Sequence, residues 1–395
     1  MKTVDAFLCQ HAAGQCEVFM AFGKPMIVIA STRYEIGRLT KEAWQAWNQN
    51  LMDIAANPRN TIASNNAYDA EYIKYFTGLR DVPILPNFCG YTGASYEPKR
   101  TEILVGPGKV VKEGQVLMME MAAAGQKEGV VYKGIREARD SEERSDERKV
   151  FRYVTRQYNA FAVASLQPLL ITNPVFLSLL SSHSLQLYPH FEYTDLASHP
   201  AIVLLPYQVS TMGLFEYYRM NIPIFAPSPK LLARWQVKYR IMSELSWDMV
   251  FNKGRGKGGS VLPKATNVHY EYDPNNVLSE DAVEYWVKWA DFYQWPHITV
   301  YEDFDDLTRK VKEADLMGTT GKMKVENENF RTRIMDDWRR VFHRMFEGKK
   351  PGDFGDTEGS WEEGMMEHYK VEGGQCGKGD DKHNLDVENA GILSV

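Results

Sequence analysis

Leu205-Pro206-Tyr207-Gln208-Val209-Ser210-Thr211-Met212-Gly213-Leu214-Phe215-Glu216-Tyr217-Tyr218-Arg219-Met220-Asn221-Ile222-Pro223-Ile224-Phe225-Ala226 is the stretch on which the fold turns. It reads strand, polar loop, helix, strand. In parallel α/β sheets ligands gather at the carboxyl ends of the strands, where a helix N-terminus offers free N–H groups to a phosphate. Ser210, Thr211 and Gly213 occupy that position.

The same rhythm extends in both directions. Upstream, Ala201 to Leu205 supplies the strand before the loop; downstream come a helix near Asp281 to Phe292, a strand His297 to Tyr301 and a helix led by Asp303 or Asp305 with Leu307 and Val311 inward. The last helix carries Ile334, Trp338, Val341, Phe342 and Met345 on one face. Over residues 5–98, strands are expected at Ala6 to Leu8, Met26 to Ala30, Thr61 to Ser64 and Val82 to Leu85. Between them, Trp44, Trp47, Leu51 and Ile54 recur at helical spacing after Thr40, an N-cap, and Tyr68, Tyr72, Tyr75 and Phe76 precede Gly78, a C-cap. A further strand opens at Glu102-Ile103-Leu104-Val105-Gly106-Pro107, after a turn-forming region.

This pattern predicts an α/β protein with an N-terminal Rossmann-like domain over 1–98, a second over 99–348, and a disordered polar tail over 349–395. Residues 159–187 contain no Asp, Glu, Lys or Arg, follow a dense mixed-charge run, and read as a poorly ordered insertion. The chain of 395 residues, 44% hydrophobic and 25% charged, buries a sizeable core, and its net charge of −6 gives no general attraction to nucleic acid or anionic lipid. Cys9, Cys16, Cys89 and Cys376 lack metal-ligand spacing, which argues against a zinc ribbon and a disulfide scaffold and makes a reducing, cytoplasmic setting the default. No secretory signal is read at the N-terminus. Ala160 to Leu180, with Pro168 and Pro174, makes a poor spanning helix.

The strand-loop-helix-strand unit resembles the donor-binding motif of GT-B glycosyltransferases. In that family a helix after a polar loop carries a glutamate that holds the ribose hydroxyls of a nucleotide sugar. Glu216 falls at that glutamate, and Pro223, seven residues on, at the family's proline before the next strand. Many retaining members carry an earlier glutamate in an E-x7-E arrangement; here Gln208 stands there, and an amide hydrogen-bonds a hydroxyl without supplying negative charge. The resemblance implies two Rossmann-like domains facing a cleft and transfer of a sugar from a nucleotide-diphosphate sugar to an unknown acceptor. It implies the sugar nucleotide as substrate, no separate cofactor, no metal, and a donor site of Gln208, Ser210, Thr211, Gly213 and Glu216. A catalytically inactive relative that binds or scaffolds is the rival, consistent with Gln208.

Cys16 to Ser31 echoes the same helix-to-strand layout near the start. With the first half as acceptor domain, its strand ends single out Thr32, Arg33, Glu35, Asn65, Asn66 and Asn87 as cleft residues. His11 also follows a strand, either as a general base or as a locally hydrogen-bonded helix-start histidine. Arg33 and Arg38 are either anion ligands or members of ion pairs. No strand and Gly-rich loop precede Asp5, so the chain reads as starting inside a domain.

Other signals weigh less. Asn252 to Ser260, rich in Gly and Lys, lacks the ending of a Walker loop and reads as a mobile surface loop. Asp303-Phe304-Asp305 matches a D-x-D metal motif and equally the acidic start of a helix. His297 and His343 are isolated. Trp286, Trp289, Tyr293 and Trp295 stack on sugar rings in one reading and form a packed helix face in the other.

Overall fold

A computed structural model describes residues 4–11, 13–36, 38, 40–106, 114–135, 186–188, 191–252 and 256–346. The expected insertion falls outside the described residues except at 186–187, and the expected tail lies outside them altogether. Two parallel sheets organise the chain. The first holds β1 (Phe7–His11), β2 (Met26–Ala30) and β3 (Thr61–Ser64) in that order. The second holds β4 (Ile103–Gly106), β5 (Tyr132–Ile135), β6 (Gln186–Tyr188), β7 (Ile202–Leu204), β8 (Ile224–Pro227) and β9 (Thr299–Tyr301). Its spatial order is β6-β5-β4-β7-β8-β9, with each neighbour parallel. Counted from its own first strand this is 3-2-1-4-5-6, the order of a Rossmann-like sheet, with the topological switch between β4 and β7. The expected strand Val82 to Leu85 contributes only a bridge, Ser64 to Ile84.

The helices are α1 (Lys41–Ala56), α2 (Ala67–Thr77), α3 (Gly114–Lys127), α4 (Tyr193–Ala197), α5 (Met212–Arg219), α6 (Pro229–Tyr239), α7 (Trp247–Phe251), α8 (Glu280–Val287), α9 (Asp291–Gln294), α10 (Phe304–Glu313) and α11 (Leu316–Met345). Their starts follow capping chemistry. Thr40 Oγ1 accepts from Ala43 N at 3.2 Å, Asn66 Oδ1 from Asp69 N at 2.8 Å, Thr211 Oγ1 from Leu214 N at 3.2 Å, and Asp303 Oδ1 from Asp306 N at 2.7 Å. Gly78 ends α2 at φ 72°, the left-handed conformation that glycine adopts without a Cβ penalty. The single helix expected over 281–292 breaks into α8 and α9.

All five residues of β2 are buried. Side chains alternate faces along a strand, so both faces of the sheet are covered. On one face Met26, Val28 and Ala30 join the main core, which also takes in Trp44, Trp47 and Tyr72 and continues through Leu104, Val203 and Phe225 of the second sheet. On the other, Ile27 and Ile29 pack with Ala6, Ala63 and Leu85 beneath Val341 and Met345 of α11. That helix of 30 residues starts against the second sheet's layer, where Asn327 Nδ2 donates to Tyr218 O at 2.8 Å, and ends on the first, where Met345 O accepts from Arg59 Nε at 3.1 Å.

Cys9 and Cys16, on β1 and the 3-10 helix Ala13–Phe22, form a disulfide. This corrects the argument against disulfide bonding: a spacing of seven residues spans one strand end and one helical turn, bringing the two Cα atoms to 5.8 Å. It also removes the ground on which a reducing setting was the default. Cys89 is a buried thiol outside that disulfide. No described helix is long and apolar enough to cross a membrane.

Candidate functional site

The strand ends of the two sheets are joined by side chains. After β2, Arg33 turns the backbone at φ 48°, a left-handed conformation uncommon for a residue with a Cβ. Its N–H donates to Asp69 Oδ1 at 2.7 Å, and its Nη2 reaches Glu244 O, on the second half, at 2.5 Å. Thr32 O accepts from the Trp247 indole at 3.0 Å. After β3, Asn65 N donates to Ala30 O at 2.8 Å, and Asn66 Nδ2 contacts both Asn65 Oδ1 at 2.6 Å and Asp69 Oδ2 at 2.8 Å. Asn87 accepts from Gln10 at 3.4 Å and donates to Met212 Sδ, at the first residue of α5, also at 3.4 Å.

Four charged or ionisable side chains are therefore buried in one place: Arg33, Glu35, Asp69 and Asp291. Tyr72 OH donates to Glu35 Oε1 at 2.8 Å while accepting from Asn275 Nδ2 at 2.7 Å. Burial pushes the Glu35 carboxyl up to about 7, with the Arg33 charge opposing the rise. Burial likewise pushes Asp291 up to about 8, with the Ser210 hydrogen bond opposing and the Asp69 charge adding. The Tyr68 hydroxyl is raised well above the ordinary phenol range by the same desolvation. Arg33 Nε and Nη1, Glu35 Oε2, Thr32 Oγ1 and Tyr68 OH are buried without a hydrogen-bond partner among the described residues. Groups of this kind cost about 1–3 kcal/mol each when left without any partner, and Arg33 Nη1 is offset by the Asp69 carboxylate at 3.9 Å.

Asp291 links this cluster to the loop before α5. Its N–H donates to Val209 O at 3.2 Å, and Ser210 Oγ donates to its Oδ2 at 2.5 Å. Ser210, Thr211 and Gln208 are all buried. Thr211 takes the Leu214 N–H, while those of Met212 and Gly213 have no intrahelical partner by position. Gly106, which ends β4, lies beneath the same helix: a Cβ there would sit 3.3 Å from the Tyr217 hydroxyl, and one on Gly213 3.1 Å from it. The opening of α5 thus overlies the switch between β4 and β7.

Glu216 has other neighbours. Half-buried, its Oε1 accepts from Tyr91 OH at 2.7 Å and Tyr193 OH at 2.8 Å. It does not sit on a solvated face, and desolvation together with this carboxylate holds both phenols above their ordinary range. His11 closes β1 opposite Ala30. Arg38 is drawn into an ion pair with Glu17.

The structure thus brings Arg33, Asn65 and Asn66 together around Asp69, with Glu35 in reach of the Arg33 and Asp69 charges, and Asp69 acts in turn on Asp291, the partner of Ser210; Asn87 meets α5 separately. Sequence reading missed Asp69 and Asp291. Asp69 stands at the third helical position after Asn66, where an acidic residue reads as a helix-start charge, and Asp291 fell inside what read as one continuous amphipathic helix.

The weaker motifs resolve into local roles. In the Gly-rich segment, Lys257 N donates to Asp248 Oδ2 and Ser260 N to Asp273 Oδ2, both at 2.7 Å, so chain carboxylates occupy N–H groups that a phosphate would need. Asp303 is spent as the cap of α10. Among the described residues no cluster of His, Cys, Asp or Glu has the arrangement of a metal site. In comparisons with known proteins, no family model matches the chain and no curated sequence is significantly similar to it.

Proposed function

We propose that this chain binds a nucleotide-diphosphate sugar where α5 opens over the β4–β7 switch, and that it is a GT-B-like glycosyltransferase with the first sheet on the acceptor side. The observation that carries the reading is the strand order, which puts the switch point, where α/β sheets bind ligands, beside the loop Gln208 to Thr211. The free N–H groups at Met212 and Gly213 suit the diphosphate. Glu216, one turn on, supplies the carboxylate for the ribose hydroxyls, and its bonds to Tyr91 and Tyr193 hold it in one rotamer. In this reading the buried cluster of Glu35, Tyr68 and Arg33, which is ion-paired with Asp69, lies on the acceptor side. With carboxyls near 7 and 8, the cluster lies in the range useful for general acid–base chemistry at neutral pH.

Titration calorimetry with UDP and GDP sugars tests this. Wild type is expected to bind one of them. Glu216→Ala should weaken binding by about 1.5 to 3 kcal/mol, the range for hydrogen bonds to charged groups, and Glu216→Gln by less. Equal binding by wild type and Glu216→Ala moves the donor site elsewhere. The second reading, a non-catalytic binding relative, is favoured by the amide at Gln208; binding without turnover over a panel of acceptors would select it.

A further inference from the structure

A second, separate feature lies where the carboxyl end of α2 meets the segment before α8. Trp289, Tyr285 and Tyr270 line a shallow surface depression of about 460 Å³ that is largely open to solvent. Its aromatic walls stand nearly at right angles: Trp289 meets Tyr285 at 79° and Tyr270 at 72°. Trp286, buried behind them, fixes the rings, stacking on Tyr270 at 5.3 Å. The sequence reading of these aromatics as a packed face therefore holds for Trp286, whereas Trp289 stays half-buried and faces the depression.

The polar lining is one-sided. Lys74, Arg80 and His269 contribute to it and no carboxylate does, in a chain whose net charge is −6. Glu71, one turn before Lys74 on α2, is engaged by Lys74 at 2.8 Å and by Tyr270 OH at 2.6 Å. Lys288 places its ammonium 3.8 Å from the Tyr285 centroid and 4.1 Å from that of Trp289 without lining the depression. The floor is built by close backbone approach: Asn267 Nδ2 donates to Gly78 O at 2.9 Å, and a Cβ on Gly78 would collide with Asn267.

We propose that this depression binds an acidic saccharide unit. Two rings at a right angle form a corner whose exposed faces suit the C–H faces of a puckered sugar ring. The Asn267 amide oxygen accepts from a sugar hydroxyl, and Arg80, exposed at the rim, pairs with the sugar carboxylate. The site does not depend on the donor reading: it shares no residue with the β4–β7 switch.

Saturation-transfer NMR and titration with methyl β-glucuronide, methyl β-glucoside, uridine monophosphate and inorganic phosphate test it. The glucuronide should bind wild type and Glu216→Ala alike. Trp289→Ala should abolish that binding, and Arg80→Ala, at an exposed position with no hydrogen bond or ion pair among the described residues, should weaken it at least about fivefold, as should replacing the carboxylate with the glucoside's hydroxymethyl group. Absence of glucuronide binding overturns the proposal. So do equal binding of the glucoside, unchanged binding in Arg80→Ala, or tighter binding of uridine monophosphate or phosphate at the same residues.

Discussion

Asp291 is buried beside the loop before α5, where its carboxylate accepts from Ser210 and feels the charge of Asp69, and its protonation is coupled to folding. Its carboxyl is raised by burial from the ordinary aspartate value to about 8. A raised carboxyl stabilises the fold fully below its unfolded pKa of about 4 and loses that contribution as pH rises through the folded value. Glu35, at about 7, acts in the same direction. Wild type should therefore lose stability between about pH 4 and pH 8, and Asp291→Asn, which keeps an acceptor for Ser210 without titrating, should lose less over that window. Urea denaturation at pH 5, 6.5 and 8 measures this; parallel pH profiles for the two proteins would show that Asp291 is not the buried neutral carboxyl described. Residue roles were the least legible part of the sequence. By sequence Asn66 reads as a cleft residue, whereas its side chain caps α2 while also touching Asn65 and Asp69.

Among the elements, those with local chemistry were readable and those defined by pairing were less so. Thr40 before α1, Gly78 after α2 and the apolar spacing between them are local, and they appear where expected. Val82 to Leu85 has the composition of a strand, yet pairing needs a neighbour in register and yields only one bridge. The Cys9–Cys16 pairing was likewise invisible, because it depends on a strand end and a 3-10 helix folding back together. Gly78 carries a sharper consequence. At φ 72°, alanine there should cost about 1–2 kcal/mol from the left-handed backbone alone, while the exposed Asn267 side chain moves aside. Thermal unfolding of Gly78→Ala checks it, and a change within error of zero would mean that the α2 terminus relaxes out of this conformation.

At the scale of the whole molecule, α11 binds the two sheets into one unit. Its amphipathic face was visible in the sequence at Ile334, Val341 and Met345, but not that the helix passes from one sheet's layer to the other's. Met345 is fully buried against the first sheet, so Met345→Ala should destabilise by about 2–5 kcal/mol, the range for a core methionine. Because one core runs through both sheets, the loss should appear as a single shifted transition by both tryptophan fluorescence and circular dichroism. Two separated transitions would show that the halves fold independently. The strand order that carries the functional reading was not legible either: the sequence places strands along the chain, and only three-dimensional pairing shows that β4 and β7 are neighbours with a crossover on each side.

That order makes the location of the nucleotide sugar the central claim, and hydrogen–deuterium exchange with and without the UDP or GDP sugar that binds tests it most directly. The account predicts slowed exchange in the backbone from Leu205 to Glu216, strongest at Met212 and Gly213, whose N–H groups would hold the diphosphate. Protection confined to other segments, with the opening of α5 unchanged, would contradict it.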